Sequence, residues 1–296
     1  MDRHLPESLA FYREFLALPN DANHPGDIDA LLDWMESAFA ARGFDTRRLE
    51  MPGNDSLFAE RGDEDAASTV LVYLQADGQP VDPSAWEQEN PYLAVLKERA
   101  EDGWRRVPWD LSGDSPDPDW RIFARSASDS KGPMTQFLTA VELLDRLGHE
   151  FPYRLKVIID TEEEMGSPHL AAAVAERKEL MAADLLLIFD GPPHASNRPT
   201  VSFGARGIAT LTLTTYGPKV AQHSGHYGNF LPNPAFGLAR ILASLKTDDG
   251  RVAIEGFYDN VHITGDVQSV LDAVPDDEAA ILAAAGQARA DQVADT

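Results

Sequence analysis

Apolar residues recur at helical spacing twice near the start of the chain. Leu9, Tyr12, Phe15 and Leu16 share one stripe and predict a helix over residues 6–18. Ile28, Leu31, Leu32, Met35 and Phe39 predict a second over 28–42, closed by Gly43. The spacing then changes. Thr69–Leu74 (TVLVYL) is apolar throughout, as expected of a strand covered on both faces, and it runs into the polar turn Gln75-Ala76-Asp77-Gly78. Residues 81–120 are rich in Pro, Trp, Asp and Glu and predict mostly loop, with one short helix near Tyr92–Arg99. Pro133 opens and Gly148 closes a helix whose inward positions are Met134, Phe137, Leu138, Val141 and Leu144. Residues 155–161 predict a buried strand that meets three consecutive glutamates, Glu162, Glu163 and Glu164, before a Gly166-Ser167-Pro168 turn. An alanine-rich helix follows over Leu170–Met181, then a buried strand over Leu185–Phe189 ending at Asp190. Strands alternating with helices predict an α/β fold, with a mostly parallel sheet and helices on both faces.

After about Val201 the pattern is different. Gly207–Thr215 alternates, with Leu211 and Leu213 on one face and Thr210, Thr212 and Thr214 on the other, which predicts a half-exposed strand. Asn233-Pro234 starts a helix to about Leu245, and Val252–Tyr258 predicts a further strand. From Pro275 the alanine- and acid-rich tail predicts a short helix followed by disorder. The expected organisation is a larger α/β domain over 1–201 and a smaller α+β unit over 202–296.

Charge narrows the function. The 296 residues hold 49 Asp and Glu against 25 Lys and Arg, a net charge of −24 spread along the chain. Such a chain is repelled by nucleic acid and by anionic membrane surfaces, so neither is an expected partner. No apolar run approaches the length needed to cross a bilayer, the first residues do not read as a secretory signal, and cysteine is absent. Together these predict a cytoplasmic protein without disulfides or thiolate metal ligands.

Charge also marks a candidate site. Three like charges at a strand end repel one another and are costly to desolvate together. The stretch is either a solvated acidic turn or the wall of a cation site. Each of the three predicted strands ends in polar or acidic residues: Gln75 with Asp77, Glu163 with Glu164, and Asp190. In open α/β sheets, sites form outside the carboxyl ends of the strands. Asp129, in the loop before the 133–147 helix, can reach the same edge, although by itself it reads as a helix cap. Several carboxylates on one edge suit one or two divalent cations.

Taken in order, LVYLQADGQPVDP at 71–83, ARSASDSKGP at 124–133, DTEEEMGSP at 160–168, FDGPP at 189–193, HSGHYGNFLPNPA at 223–235 and DGRVAIEGFYDNV at 249–261 resemble the two-metal exopeptidases and deacylases. That family includes carnosinase-type dipeptidases, acetylornithine deacetylase and succinyl-diaminopimelate desuccinylase, and the carnosinase-type branch is the most similar. The resemblance implies a metal-dependent hydrolase of amide bonds in dipeptides or N-acyl amino acids, acting on a small substrate as a homodimer formed through the second domain. It implies that Asp129 bridges two divalent metal ions, zinc or manganese in the family. Glu164 binds one of them and Asp190 the other. Glu163 is the general base acting on a metal-bridging water, Asp77 orients a ligand from behind, and His223 stabilises the oxyanion from the partner's second domain.

The chain departs from the family in three places. The family's first metal ligand is a histidine, and here that position is Gln75, a poor ligand for zinc. The family's chain continues beyond this one, with a Gly-Gly-Ser loop and a last metal-binding histidine. Residues 124–126 read ARS where Gly-Arg-Gly is usual. The remaining ligands are oxygen donors, so the expected metals shift towards manganese, magnesium or calcium. The alternative expectation is a non-catalytic pseudo-peptidase that keeps the fold and binds a ligand or partner. His169 and His194 lie close enough in sequence to replace a lost ligand, whereas His149, after a helix C-terminus, needs no function.

Overall fold

The computed structural model describes residues 4–101, 103–109, 117–191, 199–202, 207–273 and 278–286. The chain divides into two compact units, Met1–Ser202 and Phe203–Thr296.

In the first unit the elements follow as α1 (Leu5–Leu16), α2 (Pro25–Ala40), β1 (Asp45–Leu49), β2 (Ser56–Arg61) and β3 (Thr69–Gln75). Then come β4 (Val95–Ala100), β5 (Gly103–Val107), β6 (Arg121–Phe123), α3 (Lys131–Arg146) and β7 (Arg154–Asp160). The unit ends with α4 (Leu170–Glu176), α5 (Lys178–Met181) and β8 (Leu185–Ile188). The main sheet has the order β1-β2-β7-β3-β8. β3 runs parallel to both β7 and β8, while β2 is antiparallel to β7 and to β1.

The continuous apolar runs are explained by cover on both faces. Phe15 of α1, Leu32 and Phe39 of α2 and Met134 and Leu138 of α3 pack on Val72, Leu74, Val157 and Ile159. On the opposite face Ile158 packs with Leu49, Phe58 and Met181, flanked by Leu71, Tyr73, Leu170 and Leu180. Alternate residues of one strand thus enter two cores. The register aligns the chemistry as well: Gln75 pairs with Asp160 across β3 and β7, and Tyr73 pairs with Ile188 across β3 and β8. Continued by two residues, the second pairing brings Asp190 level with Gln75 at the carboxyl edge.

Three expectations in this unit change. The strand expected to be buried over Leu185–Phe189 is β8, whose four residues are all exposed, because it is the last strand in the sheet order and among the described residues pairs only with β3. The helix expected near Tyr92–Arg99 is the strand β4, the middle of a second sheet ordered β5-β4-β6. Cross-strand pairs outweigh local helix propensity there. Glu98 stands opposite Arg105 and accepts from its guanidinium, and Lys97, 4% exposed, bonds Glu87 at 2.6 Å while its ammonium lies 4.5 Å from the Phe123 ring. The helix expected over Leu170–Met181 breaks at Arg177, which leaves helical geometry (φ −120°, ψ 36°) and donates to the Glu50 carbonyl at 3.2 Å.

The second unit contains α6 (Ser224–Tyr227), α7 (Pro234–Ser244), α8 (Gly265–Ala273) and α9 (Glu278–Ala285). α7 is capped as its sequence predicts, Asn233 Oδ1 accepting the Ala235 N–H at 2.9 Å. The strands expected at 207–215 and 252–258 are not formed: among the described residues this unit has no strand, only an isolated bridge between Lys246 and Val252. Alternation prepares a strand, but a ladder needs a neighbour: among the described residues 207–215 pairs with no strand, and 252–258 has only the bridge from Val252 to Lys246. No described residue of the unit is buried, so the apolar positions Phe236, Ile241 and Leu242 of α7 stay exposed. α8 was not anticipated; Val267, Val270 and Leu271 carry its spacing. The expected disordered end of the tail lies outside the described residues. Among the described residues no helix is long and apolar enough to cross a membrane.

Candidate metal centre

The carboxyl edge of β3, β7 and β8 is assembled by close backbone approaches. Asn20 ties two loops together, its Nδ2 donating to the Ala76 carbonyl at 2.8 Å and to Ser126 Oγ at 3.0 Å. Gly78 sits in that clasp, where a Cβ would fall 2.2 Å from Ser126 Oγ. Gly191 presses the turn after β8 onto the loop before α3, where a Cβ would fall 2.2 Å from the Ser128 carbonyl oxygen. Only glycine fits at such approaches. They place Asp190 beside Asp129.

Three of the expected residues meet at one atom that sequence reasoning did not single out. The Ser130 hydroxyl oxygen lies 2.6 Å from Gln75 Oε1, 2.7 Å from Asp129 Oδ1 and 2.9 Å from Asp190 Oδ1. Asp190 Oδ1 also accepts the Gly191 N–H at 2.7 Å. Ser130 and Gln75 are 1% and 5% exposed, while Asp129 and Asp190 face solvent.

The glutamate turn faces this cluster. Asp77 is buried behind it and accepts the backbone N–H groups of Glu163 and Glu164, each at 3.1 Å. Burial pushes the Asp77 carboxyl up to about 7, against the opposing effect of those two N–H donors. Glu164 Oε2 accepts from Gln79 Nε2 at 2.6 Å. Glu163 is raised above the ordinary glutamate value, first by burial and then by the negative charges of Glu164, Asp190, Asp129 and Asp160.

Glu162, the first of the three glutamates, has a different place. It is 2% exposed, accepts the Asn54 N–H at 2.8 Å on one oxygen, and lies 2.7 Å from His169 Nδ1 on the other. Its own N–H donates to Asp160 Oδ1 at 3.0 Å, and Asp160 accepts Tyr73 Oη–H at 3.1 Å and Ser167 Oγ–H at 2.6 Å. His169, expected as a possible replacement ligand, is therefore engaged in holding the turn. Burial of Glu162 and Asp160 is fixed by contacts distant in sequence, which is why neither stood out. Glu162→Gln keeps an acceptor for Asn54 and weakens the His169 contact. It is expected to cost about 1 kcal/mol, measured by urea unfolding; no change would show that the His169 contact contributes nothing to the fold.

His223 lies in the second unit, where its Nδ1 accepts the Gly225 N–H at 3.0 Å and its ring lies 4.6 Å from that of His226. His149 packs edge-on against Phe151 at 5.9 Å. His194 lies outside the described residues. Among the described residues, no three Asp, Glu or His side chains stand close enough to hold an ion unaided. The groups that do converge are oxygen donors: Gln75 Oε1, the carboxylates of Asp129 and Asp190, and the Ser130 hydroxyl. That donor chemistry fits a hard divalent cation.

Residues 94–293 match Peptidase family M20/M25/M40, and the chain belongs to that family. It is 29% identical over 228 residues to the Cys-Gly metallodipeptidase dug1 of Schizosaccharomyces pombe, which covers 76% of this chain and 44% of that one. It is 26% identical over 279 residues to the Beta-Ala-His dipeptidase of Mus musculus, covering 88% of this chain and 52% of that one. The chain thus spans about half the length of the curated relatives it matches. Two crystal structures share the fold: the M20 family metallo-carboxypeptidase Sso-CP2 of Sulfolobus solfataricus (TM-score 0.70, 24% identity, 96% of this chain and 60% of that one) and human carnosine dipeptidase 1 (TM-score 0.65, 22% identity, 98% and 60%).

Proposed function

We propose that this chain is the metal-bearing part of a hydrolase that cleaves amide bonds in dipeptides or N-acyl amino acids. The observation that carries the reading is the convergence of Gln75, Asp129 and Asp190 on the Ser130 hydroxyl, with the Glu163 carboxyl raised by burial and by neighbouring negative charge. The names of the relatives, both dipeptidases, support the substrate class.

In this reading Asp129, Asp190 and Gln75 would hold one cation, and Asp129 with Glu164 a second. The oxygen donors favour manganese, magnesium or calcium over zinc. When bound, the cations polarise the amide carbonyl and acidify water. Glu163 takes a proton from the attacking water and delivers it to the leaving nitrogen, and its raised affinity for protons suits both steps. Asp77 fixes the glutamate turn through two backbone N–H groups, so the two carboxylates keep their places as charge moves. His223 supplies a donor to the developing oxyanion from a second copy of the chain, paired through the smaller unit acting as lid and dimerisation domain. A small-peptide substrate and a cytoplasmic setting belong to the same reading.

The test is hydrolysis of dipeptides and N-acyl amino acids with added manganese or zinc, native chain against Glu163→Gln. Losing the base is expected to reduce turnover roughly 10²–10⁴-fold. Equal turnover by Glu163→Gln would remove it from the reaction. Gln75, in place of a basic imidazole, favours a second reading, a non-catalytic ligand- or partner-binding protein. No turnover from a folded sample that binds manganese would support that reading.

A further inference from the structure

Ser130 makes more close contacts than one hydroxyl can satisfy. Its oxygen stands within 2.6–2.9 Å of three other oxygens. A hydroxyl carries one proton, and ionised carboxylates carry none. Turning the Gln75 amide over would bring a second hydrogen to the cluster, and no more. With both carboxylates ionised, one oxygen still faces the hydroxyl oxygen with no hydrogen between them. Ser130 and Gln75 are almost wholly withdrawn from solvent, so the repulsion is not diluted by water at their end of the cluster. A positive centre facing all four oxygens removes it.

The three contacts to Ser130, although of hydrogen-bond length, also suit oxygens sharing one cation. Metal–oxygen bonds of about 2.1 Å at right angles place neighbouring ligand oxygens about 3 Å apart. The contacts to Ser130 fall just inside that separation. We infer that Ser130 Oγ is itself a metal donor, forming with Gln75 Oε1, Asp129 and Asp190 an oxygen-only position selective for a magnesium- or manganese-class cation. The inference rests on the metal-hydrolase reading and adds to it a ligand, Ser130, whose oxygen sharpens the selectivity that reading already carries. A neutral amide and a neutral hydroxyl beside two carboxylates satisfy a hard cation that accepts six oxygens, and they offer little to zinc, which prefers imidazole and thiolate at four-coordinate positions. Ser130 and Gln75 then work as a pair, and changing either alone alters which ion is held.

Calorimetric titration of the metal-stripped chain with manganese chloride and with zinc chloride tests this, circular dichroism confirming the fold of each variant. The native chain is expected to prefer manganese. Ser130→Ala is expected to weaken manganese binding tenfold or more, and Gln75→His to shift preference towards zinc by a similar factor. Ser130→Cys keeps the size of the side chain and exchanges a hard donor for a soft one, so it should lose manganese and gain zinc; this arm decides the matter if Ser130→Ala does not fold. Manganese bound as tightly by Ser130→Ala or Ser130→Cys as by the native chain, while Asp129→Asn loses it, would overturn the donor role of Ser130 and leave the hydrolase reading standing. A native chain that prefers zinc would overturn the selectivity. A native chain that binds neither ion, or an Asp129→Asn variant that binds like the native chain, would overturn the metal-hydrolase reading itself.

Discussion

Lys131→Ala is expected to lower unfolding stability by about 3 kcal/mol or more. The side chain is 0% exposed. Its ammonium donates to the carbonyls of Phe15, at 3.0 Å, and Leu18, at the end of α1, and lies 5.1 and 5.9 Å from the Phe15 and Tyr92 rings. Truncation empties a packed space and removes a donor from the end of a helix at the same time. Lys131→Met fills the space without a charge to bury, so it should cost only about 1–2 kcal/mol. Burial also pushes the ammonium from 10.5 down to about 7. Between those values the unfolded chain holds a proton that the folded chain has released. Stability at this position therefore rises with pH across that window, and Lys131→Met should flatten the rise. Urea unfolding at pH 7 and pH 9 measures both effects. Equal losses for Ala and Met would mean that the space is unimportant and the carbonyl contacts are everything. The consequence for the site is direct, because Lys131 follows Ser130 and ties the start of α3 to the end of α1.

Helices and parallel strands of the first unit could be read from the sequence because their causes are local. Leu31, Leu32, Met35 and Phe39 repeat at the period of a helix, and all are buried. Gln75 and Asp160 end neighbouring apolar runs, and the parallel register sets them side by side. Ser130 was hidden because a serine before a helix reads as a cap. Its contacts with Gln75 and Asp190 come from 55 and 60 residues away. The same holds for Glu162: in sequence it is one of three equal acids, and only the approach of Asn54 and His169 buries it and separates its work from that of Glu163. β4 was misjudged for a related reason. Lys97, Glu98 and Arg99 favour a helix by themselves, and the partners that hold them extended lie in β5 and β6. Gly207–Thr215 shows the opposite case, a strand pattern legible in sequence that pairs with no strand among the described residues.

Self-association through β8 is the other large expected effect. The two edges of the main sheet are built differently. β1 carries Arg47 and Arg48, the latter paired with Glu36 at 2.9 Å, and a charged edge resists a second strand. β8 is four apolar residues, Leu185, Leu186, Leu187 and Ile188, exposed by 50%, 54%, 39% and 64%. It pairs with β3 on one side. Among the described residues its other side offers unpaired N–H and C=O groups beside apolar side chains, a template for a strand of another chain. Sedimentation velocity at micromolar concentration is expected to show oligomers. Leu186→Lys with Ile188→Lys, which places two charges on one face of the strand, is expected to remove every species larger than the dimer paired through the smaller unit. Because those side chains are exposed, each change should alter stability by no more than about 0.5 kcal/mol, so dispersal cannot be confused with unfolding. Salt separates this contact from a charge-driven one. With a net charge of −24 the chains repel one another, and raising ionic strength screens that repulsion while leaving apolar contact intact. Association should therefore strengthen with salt. Oligomers larger than that dimer that dissolve in high salt, or that persist in the double-lysine variant, would place the contact elsewhere on the chain.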